Sequence, residues 1–252
     1  MARQKGIIKL KGTIGDVSFY KSKDGYLARE KGGVDGDRIK NDPAFQRTRE
    51  NGAEFGRAGK AGKILRNAFR LLLQNASDAR VTSRLTKEMM RVIKTDAVSA
   101  RGERLITNGN LGHLTGFDFN VDSKLGTSFY AAFAQAIDRV AGAYNVSIPA
   151  FVPTASIVFP DGATHYRFSM AAAEINFEEE SFQFGQAGTA ELELGGDESL
   201  PVDLNVNLTA DSTDDLFLIL GLEFFQEVNG VMYSLKNGAF NSLSIAAIDE
   251  AN

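Results

Sequence analysis

The chain has 252 residues and a formal net charge of −4, with 43% hydrophobic residues, 18 Phe and neither Cys nor Trp. This composition is typical of a globular protein, and the lack of Cys excludes disulfides, thiolate metal sites and cysteine nucleophiles. No apolar run approaches the roughly 18 to 20 residues that a membrane-spanning helix needs. No signal peptide is evident, because the apolar segment behind the basic N-terminus is short. The cellular location is otherwise unknown, and we expect cytoplasmic synthesis, with later release from the cell left open.

The net charge conceals a strong asymmetry along the chain. Residues 1–110 contain 24 Lys and Arg against 12 Asp and Glu, a balance of +12, whereas residues 111–252 contain 4 against 20, a balance of −16. A basic segment of this kind indicates contact with an acidic surface. That surface is nucleic acid, a neighbouring subunit or the acidic half of the same chain.

The first region, residues 1–38, is predicted to be a β-hairpin followed by a Gly-rich linker. Two short apolar runs flank Asp24-Gly25, a pair that readily adopts the positive φ angles of a tight turn. Because two strands alone bury too little surface to be stable in water, we expect the hairpin, residues 13–30, to pair with a sheet of its own or of another subunit. The hairpin residues expected at such an interface are Ile14, Val17, Phe19, Tyr20, Tyr26 and Leu27.

The second region, residues 39–110, is predicted to be helical and basic. Asp42 is a suitable N-cap and Pro43 a suitable first residue of a helix. Helices are expected near residues 43–50, 54–74 and 78–96.

Two stripes of basic residues are predicted on these helices. At 100° per residue, the cations of the second helix fall opposite its apolar side, and those of the third form one narrow stripe. Each stripe is either an ordinary solvated helix face or a surface that binds an acidic partner. The residues are Lys60, Lys63, Arg66 and Arg70 on the second helix, and Arg80, Arg84, Lys87, Arg91 and Lys94 on the third.

The second helix also contains a Gly-rich stretch, Gly56-Arg-Ala-Gly-Lys-Ala-Gly-Lys63. It does not match a phosphate-binding P-loop, because the glycine spacing differs and Ile64 stands where that motif has Ser or Thr. Three glycines at three-residue spacing favour close backbone packing against a neighbour, or a break in the helix.

The third region, residues 111–252, is predicted to be an acidic, antiparallel β-sandwich of immunoglobulin-like type. From Val146 onward, short apolar runs recur between turn signals, and residues 202–208 alternate strictly between apolar and polar. This alternation is typical of half-buried strands. Asn229-Gly230 predicts a tight hairpin turn, and Lys236-Asn237-Gly238 predicts a second. The fold class expected for the whole chain is therefore α+β.

Four strings of this sequence are similar to those of known proteins. They are Gly12-Thr-Ile-Gly-Asp-Val-Ser-Phe-Tyr20, Asp42-Pro-Ala-Phe-Gln-Arg-Thr-Arg-Glu50, Ala163-Thr-His-Tyr-Arg167 and Phe224-Phe-Gln-Glu-Val-Asn-Gly-Val-Met-Tyr233. They resemble a widespread family of uncharacterised proteins from Bacteroidota-type bacteria, and the resemblance runs over most of the chain. The family has no assigned activity, catalytic residues or cofactor, so the resemblance implies no site residues.

Side chains suited to catalysis or metal binding are few. The chain has two histidines, His113 and His165, and it has neither a nucleophile elbow nor the ligand spacing of a zinc site. Carboxylates cluster at residues 178–180, 197–198 and 211–215. These clusters are either ordinary solvated loops or weak calcium sites. We expect no enzymatic activity, no metal and no cofactor.

These features favour a self-assembling structural protein, a homo-polymer whose subunits join head-to-tail as a filament or shell-like polymer. The contacts expected are the basic helical region, the acidic sandwich and the N-terminal hairpin, which would add a strand to the next subunit. The alternatives are a nucleic-acid-binding protein that uses the basic helices, or a phage-like structural component. A carbohydrate-binding sandwich and an unrecognised enzyme also remain open, and pairing of the two halves within one chain would satisfy the same charges.

Overall fold

The computed structural model describes residues 2–22, 24–30, 32–235 and 238–251. The chain divides into two compact units, Met1–Arg49 and Glu50–Asn252, which are called the N-terminal unit and the C-terminal unit below. Their boundary differs from those of the predicted regions 1–38, 39–110 and 111–252. Helices and antiparallel sheets are both present, which confirms the α+β class.

The N-terminal unit contains a small antiparallel sheet. Its strands are β1 (Ala2–Arg3), β2 (Gly12–Ile14), β3 (Val17–Ser22) and β4 (Gly25–Glu30). Their order is β1-β4-β3-β2, so the predicted hairpin is the central pair β3–β4, with Ser22 opposite Gly25 at the turn. The hairpin thus pairs with strands of its own chain on both sides.

Two short helical elements complete this unit. The segment predicted as a Gly-rich linker contains α1 (Gly36–Asn41), whose first turn is capped because the Asp35 carboxylate accepts a hydrogen bond from the Asp37 N–H at 3.1 Å. A 3-10 helix, Pro43–Phe45, follows. The Asp42 carboxylate accepts from the Ala44 N–H at 2.9 Å, so the predicted N-cap is confirmed.

The remaining helices are α2 (Gln46–Ala68), α3 (Arg70–Leu73), α4 (Val81–Thr95), α5 (Leu125–Ser128) and α6 (Pro153–Ser156), with a second 3-10 helix at Leu111–Leu114. Helix α2 runs unbroken through its glycines. A Cβ atom added at Gly56 or Gly59 would meet no described atom within 4 Å, and one at Gly62 would lie 3.5 Å from Leu85, an ordinary contact. The prediction that these glycines permit close backbone packing or break the helix is therefore wrong.

The C-terminal unit contains two antiparallel sheets. The strands are β5 (Ala134–Asp138), β6 (Ala143–Ile148), β7 (His165–Asn176), β8 (Ser181–Gly188), β9 (Leu192–Glu193), β10 (Val202–Asn207), β11 (Asp215–Val228), β12 (Val231–Ser234) and β13 (Ser242–Asp249). The larger sheet has the order β12-β11-β7-β8, with β13 also beside β11 and β9 also beside β7, and the smaller has the order β10-β6-β5. Asn229 and Gly230 have φ angles of 53° and 79° between β11 and β12, which confirms that hairpin turn. The other predicted turn includes Lys236 and Asn237, which lie outside the described residues.

Successive residues of β11 face two different cores. Phe217 and Ile219 belong to a core shared with α2 and α4, whereas Leu218 and Leu220 belong to a core shared with β6 and β10 of the smaller sheet. The larger sheet is therefore the middle of three layers, with helices on one face and the smaller sheet on the other. The immunoglobulin-like arrangement is not confirmed. An immunoglobulin sandwich consists of two sheets packed face to face, whereas here helices cover the outer face of the larger sheet.

Candidate assembly surfaces

The N-terminal unit exposes much of its apolar surface. Of the predicted hairpin residues, Leu27 is buried, Phe19, Tyr20 and Tyr26 are half-buried, and Ile14 and Val17 are exposed. Leu27 is the one buried hydrophobic residue among those described in this unit. The sheet therefore has hydrogen-bonded strands but almost no hydrophobic core of its own.

The segment between β1 and β2, residues 4–11, is called the N-terminal loop. Its tip carries Ile7 and Ile8, which are 102% and 79% exposed, and it contains Lys5, Lys9 and Lys11 without any acidic residue. Isolated exposed apolar residues are common, but adjacent ones this exposed are typical of contact surfaces. The loop is both apolar and cationic.

The basic stripe on α2 is partly engaged within the C-terminal unit. Lys60 forms an ion pair with Glu180, and the Arg66 Nε donates to the Gly62 carbonyl at 3.1 Å. Lys63 and Arg70 are exposed, without an ion pair to any described residue. Half of this stripe is thus available to a partner.

The basic stripe on α4 is similarly divided. Arg84 forms an ion pair with Asp78, donates to the Asp118 carbonyl at 2.8 Å and lies over the Phe117 ring at 5.0 Å. Arg91 pairs with Glu88 at 2.6 Å. The exposed residues without an ion pair to any described residue are Arg80, Lys87 and Lys94.

A cavity of about 730 Å³, called the acidic cleft, opens on the C-terminal unit. Residues of β7, β9 and β10 line it together with the segment between β9 and β10. Its apolar wall includes Leu192 and Leu200, and no Lys or Arg is among its described lining residues. The carboxylates on the lining are Glu193, Asp197, Glu198 and Asp203.

A buried phenol also lines the acidic cleft. Tyr166 is 0% exposed, and its hydroxyl has no hydrogen-bond partner among the described residues. Burial raises the pKa of Tyr166 to about 12, and the neighbouring Ser199 hydroxyl opposes that rise without reaching hydrogen-bond geometry. An unpaired buried hydroxyl costs free energy, and this one is too deeply buried to contact a partner in the cleft.

Sequence reasoning missed the acidic cleft. It gave residues 197–198 as either a solvated acidic loop or a weak calcium site, and it gave Tyr166 no role. A signal was present, because residues 168–235 contain no Lys or Arg, so a pocket formed there has no cation of its own. Periodicity alone does not reveal that β7 and β10 meet at this point.

The other chemical candidates do not form a site. His113 is exposed, and His165 Nδ1 lies 2.9 Å from Thr164 Oγ1 while its Nε2 lies 3.8 Å from Glu227. The Gly-Lys stretch lies inside α2 and not in a phosphate-binding loop. Within the described residues, no group of three or more His, Asp or Glu is arranged to hold a metal ion.

Comparisons with known proteins leave the family open. No family model matches the chain, and a search of curated proteins finds no similar sequence. Within the described parts of the chain, no helix is long and apolar enough to cross a membrane.

Proposed function

We propose that the chain is a self-assembling structural protein whose copies join head-to-tail, as a filament or a shell-like polymer. The N-terminal unit of one copy would bind the C-terminal unit of the next. The observation that carries this proposal is the sheet of the N-terminal unit, whose described residues include a single buried hydrophobic side chain, Leu27. A small sheet normally packs an apolar face against a second layer. A neighbouring copy would supply that layer.

Charge supports the same pairing. Residues 1–49 contain 12 Lys and Arg against 6 Asp and Glu, a balance of +6, whereas residues 50–252 contain 16 against 26, a balance of −10. Opposite charges steer two surfaces together, and like charges placed face to face disfavour the wrong pairing. Contacts between unlike units are therefore favoured over contacts between like units, and such heterologous contacts produce rings or open polymers. A phage-like structural component would share this design.

Nucleic-acid binding by the basic helices is the second candidate. Binding of a phosphate backbone needs available cations. Lys60, Arg84 and Arg91 are in ion pairs within the chain, whereas the other exposed cations of the two stripes would be available for it. The exposed apolar residues of the N-terminal unit have no role in a phosphate contact, and they favour self-assembly.

Sedimentation velocity and negative-stain microscopy of the nuclease-treated full chain test the proposal. We expect regular assemblies at about 0.05 M salt that dissociate at about 0.5 M salt, because the screening length falls to about a third over this range. A monomer at every protein concentration would overturn the proposal. Association that requires added DNA or RNA would also overturn it and would favour nucleic-acid binding.

Two charge-reversal variants separate the surfaces involved. Lys21→Glu with Arg29→Glu changes the hairpin, and Lys63→Glu with Arg70→Glu makes the same charge change on α2. All four residues are exposed. We expect the hairpin pair to weaken assembly, because it reverses charge on the N-terminal unit, and the α2 pair to weaken it less. The reverse order would show that the copies join through the basic helices.

A further inference from the structure

The acidic cleft has the properties of a site for a cationic partner. Four acidic residues are on its lining, and none of the described lining residues is Lys or Arg. A cleft lined by charges of one sign attracts a partner of the opposite sign. Leu192 and Leu200 give the same cavity an apolar wall, so a purely ionic ligand would leave part of it uncovered.

The two kinds of residue on the lining select one chemistry. The acidic residues favour a cation, and Leu192 and Leu200 favour an apolar group. A partner that carries a cation and an apolar side chain close together therefore fits the cleft best.

The N-terminal loop has this chemistry. It places Ile7 and Ile8 on its exposed tip and flanks them with Lys5 and Lys9. Apolar side chains would cover the apolar wall of the cleft, and ammonium groups would meet its carboxylates. Burial of these Ile side chains would add hydrophobic stabilisation to the charge contacts.

The loop is also held in shape before any contact is made. The Gln4 side chain bonds both backbone groups of Leu10, at 2.8 Å and 3.3 Å, and its Nε2 also donates to the Leu27 carbonyl at 3.0 Å. These bonds tie the base of the loop to β4. A preorganised loop loses less conformational entropy when it binds than a flexible one.

We propose that the acidic cleft of one copy receives the N-terminal loop of another copy. Ile7 and Ile8 lie against the apolar wall, and loop lysines pair with the cleft carboxylates. The inference rests on the proposed head-to-tail assembly and names the contact through which that assembly forms.

Disulfide trapping tests this contact, because the chain contains no Cys that would give a background signal. One full-length variant carries Ile8→Cys and a second carries Leu200→Cys, at a residue of the cleft lining that is 85% exposed. The two variants are mixed under mild oxidation and examined on a non-reducing gel. A third variant, Val98→Cys, matches Leu200 in exposure at 85% and does not line the cleft. A disulfide forms only when the two Cα atoms come within about 7 Å.

We expect a covalent heterodimer from Ile8→Cys mixed with Leu200→Cys, at a yield at least about tenfold above that with Val98→Cys. If the chain assembles but the Ile8–Leu200 dimer does not exceed the Val98 control, the inference is wrong while the proposed function stands. If no association occurs at all, both fail. A double variant with Ile8→Cys and Leu200→Cys that cross-links only within one chain would overturn the contact between copies.

Carboxylate variants test the charges of the cleft without any cross-link. Asp197→Asn with Glu198→Gln removes two of its carboxylates, and Asp161→Asn with Glu179→Gln removes two exposed carboxylates elsewhere. We expect the cleft pair to raise the concentration needed for assembly at least about tenfold, and the control pair to raise it less than about twofold. Equal effects would mean that net charge alone, and not the cleft, drives association.

Discussion

The side chain of Gln4 pairs with the backbone of Leu10 much as a neighbouring strand would. Its Oε1 accepts the Leu10 N–H at 2.8 Å, and its Nε2 donates to the Leu10 carbonyl at 3.3 Å. Five residues are thereby closed into a loop whose tip is Ile7-Ile8. The shape of the most exposed apolar group in the N-terminal unit therefore depends on one amide side chain.

Gln4→Ala is expected to open this loop and weaken assembly. Loss of these hydrogen bonds should make the free energy of assembly about 1 kcal/mol less favourable, because the loop is no longer held in its binding shape. The concentration needed for assembly should therefore rise about fivefold. Light scattering over a protein dilution series measures that concentration. Gln135→Ala, at an exposed position of β5, is the matched control and should leave it unchanged. An unchanged value for Gln4→Ala would contradict the role assigned to the loop.

Tyr166→Phe is expected to leave both stability and assembly intact. The substitution keeps the buried ring and removes a hydroxyl that has no described partner, so the free energy of unfolding should stay the same or rise by about 1 kcal/mol. Assembly should not change, because the hydroxyl is too deeply buried to contact the loop of another copy. Urea denaturation and light scattering on the same samples give the two values. Phe168 is a neighbouring core residue with 0% exposure, and Phe168→Ala should lower the free energy of unfolding by about 3 to 5 kcal/mol. A similar loss for Tyr166→Phe would show that the hydroxyl stabilises the fold.

Arg84→Ala and Lys87→Ala are expected to differ strongly, although both residues lie on the predicted basic stripe. Arg84 pairs with the largely buried Asp78 and donates to the Asp118 carbonyl, so its removal should lower the free energy of unfolding by about 2 kcal/mol. Lys87 is exposed, and its removal should change that energy by less than about 0.5 kcal/mol. Thermal or urea denaturation measures both. Equal values would show that the ion pair of Arg84 does not stabilise the fold.

Asp215 is expected to make the C-terminal unit less stable as the pH rises from about 4 to about 6. Burial raises the pKa of Asp215 to about 6, from 3.8, despite the hydrogen bond from the Ala251 N–H. Between these values the folded chain retains a proton that the unfolded chain has lost, so the free energy of unfolding falls with rising pH, and the loss persists above pH 6. Asp215→Asn should remove this dependence and raise stability at pH 7 by about 3 kcal/mol.

Urea denaturation at pH 4, 5, 6 and 7 tests this prediction. Asp211→Asn, at an exposed residue of the same acidic segment, serves as the control and should keep the wild-type slope. An Asp215→Asn variant with the wild-type slope would show that another group causes the pH dependence.

Local features of the fold were predictable because short-range physics decides them. The alternation of residues 202–207 matches a strand with one buried face, and Asn229-Gly230 adopts the positive φ angles that its tight turn requires. Asp42 caps the 3-10 helix because a carboxylate at that position reaches an N–H two residues later. Each result depends on residues that are close together in the sequence.

Packing between distant residues was not predictable from these patterns. Helical spacing placed Arg84 on a basic stripe, but Asp78, Asp118 and Phe117 surround it only because residues 117–118 fold back against α4. Likewise, β11 is buried on both faces because helices lie on one side and the smaller sheet on the other.

The sequence by itself determined the charge asymmetry, the α+β content and the absence of cysteine, since these follow from composition and local periodicity. Only the tertiary structure decided which charges remain available to a partner, because an ion pair or a cleft requires residues far apart in the chain to meet. The acidic cleft is such a case: β7 contributes Tyr166, whereas the carboxylates come from residues 193–203. Contacts of this range depend on how the sheets pack, which sequence periodicity does not encode.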